Sequence, residues 1–312
     1  MNKNILLLFG FLFFVLNIQA QSDVIDNLKN ELSLHQAKDT IKVNLLNELA
    51  YNFYSKDINV TQSYLDEAKA ILQTIDYKKG EARNLFVQGY LELMKGDSEA
   101  TTHYYQEALQ LYQAINLKQG IADCYDALGV MSIYQSDYKK AIEYSEKDLE
   151  IREEIGTNEE IAYNLYILGG LYATTGNHLK AAQHYERALK LFEAEDNKRD
   201  ISVIFDVKGV TYLEQGNYPL ALEYLKKSLF LKEKYFNSEG VHTILNNIGV
   251  IYEDEGNLDK ALEYYNRSLA ISNKNNYKRG IIKTTLYLGS LFKKKKEYIK
   301  AFEFFNQALE KS

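Results

Sequence analysis

The chain has one proline, Pro219, one cysteine, Cys124, and no tryptophan among its 312 residues. So few helix breakers, alongside abundant Leu, Ala, Glu and Lys, point to an all-α class. A lone cysteine excludes an internal disulfide framework. Cys124 lies in an Ala/Leu-rich helical stretch, which suits a small buried apolar residue better than a reactive thiol. Histidines are scarce and scattered: His35, His103, His178, His184 and His242. His178 and His184 lack the i, i+4 spacing of a helical zinc pair, so both are expected at the surface. No P-loop, dinucleotide-binding glycine pattern or nucleophile elbow is present, and the carboxylates fall mostly on expected outer faces. The sequence therefore indicates no enzyme, no metal, no cofactor and no small-molecule substrate.

A long apolar run occurs once, from Ile5 to Ile18, after Lys3 and ahead of Gln19-Ala20. As a helix it would reach about 21 Å, short of the roughly 30 Å hydrocarbon core, so it reads as a signal peptide rather than an anchor. Cleavage after Ala20 would export the chain to the periplasm or beyond. The remainder carries 36 basic and 43 acidic residues, a net charge of −7, which argues against nucleic acid as a partner. Charge is uneven, because residues 278–312 hold nine Lys/Arg and three Glu. The densest run, Lys293 to Lys296, is expected at the end of a helix as a solvated face.

Internal periodicity dominates the rest. Gly89, Gly129, Gly169, Gly209, Gly249 and Gly289 stand forty residues apart, with Ala50 near the place of a seventh. In step with them run Ala68, Ala108, Asp148, Ala188, Ser228, Ser268 and Ala308. A third row, Gly96, Gly176, Gly216 and Gly256, is followed by Asp or Asn, and a fourth holds Gly80, Gly120, Gly240 and Gly280. The first row falls inside helical patterns, where each glycine costs about 0.8–1.0 kcal/mol relative to alanine. Close approach of a neighbouring helix would offset that cost. In the third row a glycine suited to ending one helix precedes a residue suited to capping the next, which marks tight hairpins. Pro219 agrees, falling in the first turn after Asn217. The fourth row is expected to close the longer loops between hairpins. Second-helix stripes such as Ala261, Leu262, Tyr265, Ser268 and Leu269 follow the helical period. Aromatics recur there: Tyr105, Tyr185, Tyr265 and Phe305 at one position, and Tyr104, Tyr144, Tyr224, Tyr264 and Phe304 at another.

Leu168-Gly169-x-x-Tyr172, then Ala181-x-x-x-Tyr185 and Ala188, resembles the tetratricopeptide (TPR) signature, recurring with erosion over residues 41–312. The forty-residue period, the absent Trp and the absent helix-ending proline depart from the common 34-residue form and are closer to the longer-helix variety of peptide-binding adaptors. Residues 24–50 resemble the start of exported bacterial TPR regions that serve histidine kinases or transcription regulators. The resemblance implies a TPR α-solenoid, a right-handed superhelix of helical hairpins. Its expected parts are a signal peptide over 1–20, an N-terminal capping helix over 21–38, and seven repeats over 39–312. The repeats are placed at about 41–78, 80–118, 120–158, 160–198, 200–238, 240–278 and 280–312.

In that family first helices line a concave groove. By register the groove positions are Arg83, Phe86, Tyr90, Asp123, Asp126, Tyr163, Tyr166, Asp206, Thr243, Asn246, Lys283 and Leu286. Their mixture suits a peptide with some positive charge. The expected function is an exported, non-catalytic scaffold that binds a protein or peptide. The alternative is a sensor region of a signal-transduction system, with another chain or domain covering the apolar face of Ala301, Phe302, Phe305, Ala308 and Leu309.

Overall fold

The computed structural model describes residues 18–236 and 240–311. Residues 1–17 of the signal peptide expected over 1–20 lie outside the described residues, and Ile18 to Ala20 form the start of the first helix. Fifteen helices and no strand occur among the described residues. None of these helices is long and apolar enough to cross a membrane. They fall into two compact units that divide after Thr157.

In the first unit α1 (Ile18–Leu34) packs on α2 (Thr40–Phe53), which pairs with α3 (Ile58–Leu72). Two further hairpins follow: α4 (Lys78–Lys95) with α5 (Ser98–Ala114), and α6 (Lys118–Tyr134) with α7 (Tyr138–Ile155). The second unit contains four: α8 (Asn158–Thr174) with α9 (His178–Ala194), α10 (Lys198–Glu214) with α11 (Tyr218–Tyr235), α12 (Val241–Asp254) with α13 (Leu258–Lys274), and α14 (Lys278–Lys294) with α15 (Tyr298–Glu310). Successive first helices also touch, α2 with α4 in one unit and α8, α10, α12 and α14 in turn in the other. Within each unit this is the stacking of a helical-hairpin solenoid, three hairpins after α1 in the first and four in the second.

The hairpin turns work as their sequences require. Gly96, Gly176, Gly216 and Gly256 adopt left-handed φ of 83°, 83°, 71° and 78°. The side chains of Asp97, Asn177, Asn217 and Asn257 then accept hydrogen bonds from the N–H groups of Ala100, Lys180, Leu220 and Lys260. The fourth glycine row is different from the expectation. Gly80, Gly120 and Gly280 lie inside the first turns of α4, α6 and α14, pressed beneath Tyr77, Tyr112 and Tyr277, and only Gly240 has positive φ. Asn116, Asp196 and Asn276 supply the left-handed residue between hairpins instead, with φ of 50–51°.

The first glycine row does permit close approach, and what approaches is a ring. A Cβ on Gly89, Gly169, Gly249 or Gly289 would lie 2.4–2.6 Å from Cε1 of Tyr105, Tyr185, Tyr265 or Phe305. At Gly209 the intruder is Leu225, at 2.7 Å. Gly129 faces Ser145, whose Oγ is at an ordinary 3.4 Å. Glycine and second-helix aromatic therefore form one interlocking unit in four hairpins. Ala68, Ala108, Ala188 and Ala308 are buried at the same interfaces.

Two surface expectations need correction. His178 and His184 are half-buried, and His184 stacks on Tyr172 with centroids 5.3 Å apart and planes at 1°. Nor is the lysine run wholly solvated: Lys294 Nζ meets Glu253 at 2.8 Å and Lys295 Nζ meets Asp259 at 2.7 Å. Both acids belong to the preceding hairpin, so these cations staple the last repeat to it. On α15, Ile299, Phe302 and Leu309 are 79%, 66% and 72% exposed. Phe302 and Leu309 stand at the repeat positions of Leu222 and Leu229, which are covered in the interior.

Candidate functional site

Three of the twelve groove positions belong to the core. Phe86, Tyr166 and Asn246 are 4%, 7% and 0% exposed. They stand three residues before the repeated glycine, as do Asp126, Asp206 and Leu286, which keep part of the side chain in solvent. Phe86 packs 5.3 Å from Tyr105, and Tyr166 lies 6.4 Å from Tyr185. Asn246 Nδ2 donates to Thr284 Oγ1 at 2.9 Å, and that hydroxyl also meets Ser268 Oγ at 2.9 Å. Asn246 thus joins α12 to α14 and presents nothing to a ligand.

In the first unit the structure gathers Arg83, Tyr90, Asp123 and Asp126 with residues that sequence register did not nominate. The guanidinium of Arg83 donates from Nε and Nη2 to the two carboxylate oxygens of Glu48, at 3.0 and 3.3 Å, and lies 4.5 Å over the Tyr51 ring. Tyr54 of the α2 cap and Tyr51 meet Tyr90, with centroids 5.0 and 5.7 Å apart. From the end of α7, Arg152 donates through Nη2 to Asp123 at 2.7 Å and through Nε to Asp148 at 3.1 Å.

Asp126 is surrounded by protein on nearly all sides, yet solvent still reaches part of its side chain, as at the bottom of a concavity. Burial, reinforced by the neighbouring Asp148 charge, pushes its pKa up to about 7. Because this folded value exceeds the unfolded one near 3.8, ionised Asp126 opposes folding. The penalty is absent below pH 3.8, grows as pH rises, and is complete above about pH 7. Burial likewise drives the Cys124 thiol well above its ordinary range, consistent with an unreactive core residue.

In the second unit Tyr163 is half-buried, and its ring lies 6.3 Å from that of Tyr166. Asp206 Oδ2 is 3.4 Å from Lys232 Nζ, while its Oδ1 is buried without a hydrogen-bond partner among the described residues. Lys232 occupies the repeat position of Arg152, forty plus forty residues on, but meets the register equivalent of Asp126, whereas Arg152 meets Asp123 and Asp148. Thr243 Oγ1 lies 3.1 Å from His242 Nε2. Burial, then the charges of Lys283 and Lys232, hold the His242 pKa down at about 4. A histidine kept neutral in this way supports folding above pH 6.5, and that support is lost as pH falls from 6.5 to about 4. Lys283 Nζ stands 5.9 Å over Tyr287, and Leu286 is 44% exposed. No group of three or more His, Cys, Asp or Glu side chains suited to a metal ion occurs among the described residues.

The residues missed at the sequence level left one usable trace. Asp148 is a carboxylate in a ladder otherwise made of Ala and Ser, and the partner it needs stands one turn later, at Arg152. Tyr51 and Tyr54 left none, because the first repeat lacks the register glycine, having Leu49 at that spacing and Ala50 beside it.

Comparison with known proteins places these features. No curated protein matches the sequence. Among solved structures, the apo form of RapI aligns with a TM-score of 0.66 at 18% identity, over 86% of this chain and 97% of that one. NprR in complex with its cognate peptide NprX aligns at 0.59 and 18% identity, over 88% and 79% of the two chains. A Signal Transduction ATPase with Numerous Domains protein with a tetratricopeptide repeat sensor, from Pyrococcus horikoshii, aligns at 0.70 and 18% identity. The alignment covers 86% of this chain but only 44% of that longer protein. At such identities the likeness is one of fold. The tetratricopeptide repeat family model matches residues 121–194, 158–234 and 240–311, more than half of the sequence and three of the four glycine–aromatic hairpins described above. On that match, and on the stacked hairpins themselves, the chain belongs to the tetratricopeptide repeat family.

Proposed function

We propose that this protein is an exported, non-catalytic scaffold that captures an extended peptide or protein segment on the face formed by its first helices. One observation carries the reading: at one register position in each unit, the fold holds a carboxylate with hydrogen-bonding capacity to spare, Asp126 with no hydrogen bond and Asp206 with its Oδ1 unused while Oδ2 meets Lys232. A solenoid with a purely structural face would not retain such groups, since an unsatisfied polar group costs about 1–3 kcal/mol. NprR, of the same fold, is seen with a cognate peptide. The leader motivates export to the periplasm or beyond, with removal of residues 1–20.

An array of random peptides tests the capture. Substituting Asp126→Asn, Tyr163→Ala and Asp206→Asn together is expected to reduce the retained signal at least about tenfold, with the helical circular-dichroism spectrum of a folded chain retained. Identical peptides at identical strength on variant and wild type would refute the groove. Intact mass of the protein recovered from its native cell is expected to begin at Gln21, and a mass retaining Met1 would refute processing.

A second reading makes the repeats a sensing region of a signal-transduction system. The exposed Phe302 and Leu309 favour it, because another chain or domain would cover them. Co-purification of a histidine kinase or transcription regulator with the wild type, and its loss with Phe302→Glu and Leu309→Glu, is expected on this reading and not on the first.

A further inference from the structure

We infer that Asp126 and the adjoining tyrosine cluster of Tyr51, Tyr54 and Tyr90 seat a cationic side chain, arginine or lysine, of the captured peptide. This rests on the peptide-binding reading above and adds the chemistry of one anchor.

The sign of the ligand follows from the charges. Four carboxylates and two guanidinium groups line this part of the first unit. Arg83 is committed to Glu48, and Arg152 to Asp123 and Asp148. Asp126 is left over, with no hydrogen bond or ion pair to any described residue. A carboxyl held in that state awaits a cation, because pairing recovers what its desolvation costs.

The aromatic groups point the same way by different physics. Tyr54 and Tyr90 lie 5.0 Å apart, and Tyr51 is 5.7 Å from each. Their hydroxyls make no hydrogen bond to a described residue. Three electron-rich rings in mutual contact, of which Tyr90 faces the Asp126 carboxyl, attract a guanidinium or ammonium group in a way that they do not attract an amide. The protein supplies its own example, since Arg83 sits 4.5 Å over Tyr51 while donating two hydrogen bonds to Glu48. A divalent metal ion fits less well, as it would require several converging oxygen ligands where one carboxyl is free.

Capture should also depend on pH. The groups facing Asp126 are Asp123 on its own helix, Tyr90 of α4, Tyr105 of α5, and Asp148 and Arg152 of α7. The two tyrosines stay neutral near pH 7, since burial raises both. Asp126 itself therefore passes from charged to neutral as pH falls through about 7.

The test uses N-acetyl-arginine methylamide and N-acetyl-lysine methylamide as probes, with N-acetyl-glutamine methylamide as the neutral control at matched ionic strength. Tyrosine-ring and aspartate-carboxyl resonances of the mature chain are followed by NMR. Saturable shifts at Tyr54, Tyr90 and Asp126 are expected with the cationic probes alone, with affinity about tenfold or more weaker at pH 5.5 than at pH 8. Asp126→Asn keeps the shape and removes the charge, so it is expected to fold and to lose saturation at both pH values. An equal response to the glutamine probe, or an Asp126→Asn variant that binds the cationic probes unchanged, would overturn the anchor. If the peptide array still distinguishes the triple variant in that case, only the anchor falls; if the array also shows no difference, the groove falls with it.

Discussion

Arg152→Ala is expected to lower the unfolding free energy by about 3–5 kcal/mol at pH 7. Arg152 is 8% exposed and bridges Asp123 and Asp148, the second of which is 3% exposed. Removing it deletes one positive charge from among three aspartates and leaves Asp148 as a buried anion without its cation. That penalty is far larger than the loss of an exposed pair, which is worth about 0–1 kcal/mol. It should also fade with acidity, because the stranded carboxylates are relieved by protonation as pH falls towards 4. Urea denaturation of variant and wild type at pH 7 and pH 4 measures both parts. A difference below 1 kcal/mol at pH 7, or one that grows on acidification, would show that the arginine is not the keystone of this cluster.

The second large effect is a pair of opposite signs at equivalent positions. Gly249→Ala should destabilise by about 1–3 kcal/mol, the usual cost of overpacking. The new Cβ would lie 2.4 Å from Tyr265 Cε1, and that ring has nowhere to go. It is fully buried, its hydroxyl donates to Glu253 at 2.8 Å, and Tyr287 stacks on it at 5.4 Å and 5°. Gly129→Ala should instead stabilise by about 0.5–1 kcal/mol, because alanine is the better helix former and the nearest atoms, of Ser145, Tyr144 and Ala141, stand at ordinary contact distances of 3.4–3.8 Å. Thermal unfolding of the two variants side by side separates them. Equal shifts in one direction would mean that the glycine row serves helix geometry and not the seating of the aromatic ring.

Much of the architecture could be read in advance for a simple reason. A forty-residue rhythm repeats one local solution seven times, so glycine at a left-handed turn, Asn or Asp at the next cap, and an apolar stripe confirm one another at each recurrence. The fourth glycine row misled because sequence spacing does not separate a loop from the first turn of a helix. Tyr77 and Tyr277 cover Gly80 and Gly280 from the N-caps of the same helices and Tyr112 covers Gly120 from the preceding helix, and the spacing of the glycines carries no sign of either contact. The candidate groove was only partly legible for a related reason. Register assigned Asp126 and Asn246 to one class, yet Asn246 is bonded across to Thr284 while Asp126 is bonded to nothing.

From residue types and their spacing alone followed the helical class, the seven hairpins, the caps and the turn glycines. All of these depend on interactions between residues a few positions apart, which the order of the chain specifies directly. Only the tertiary structure decided that Arg152 reaches from a second helix to Asp123, that Arg83 is spent on Glu48, and that Asp126 remains unpaired among tyrosines. Charge pairing depends on distances of 3–4 Å between groups some thirty residues apart, and periodicity carries no information about which neighbour claims which charge.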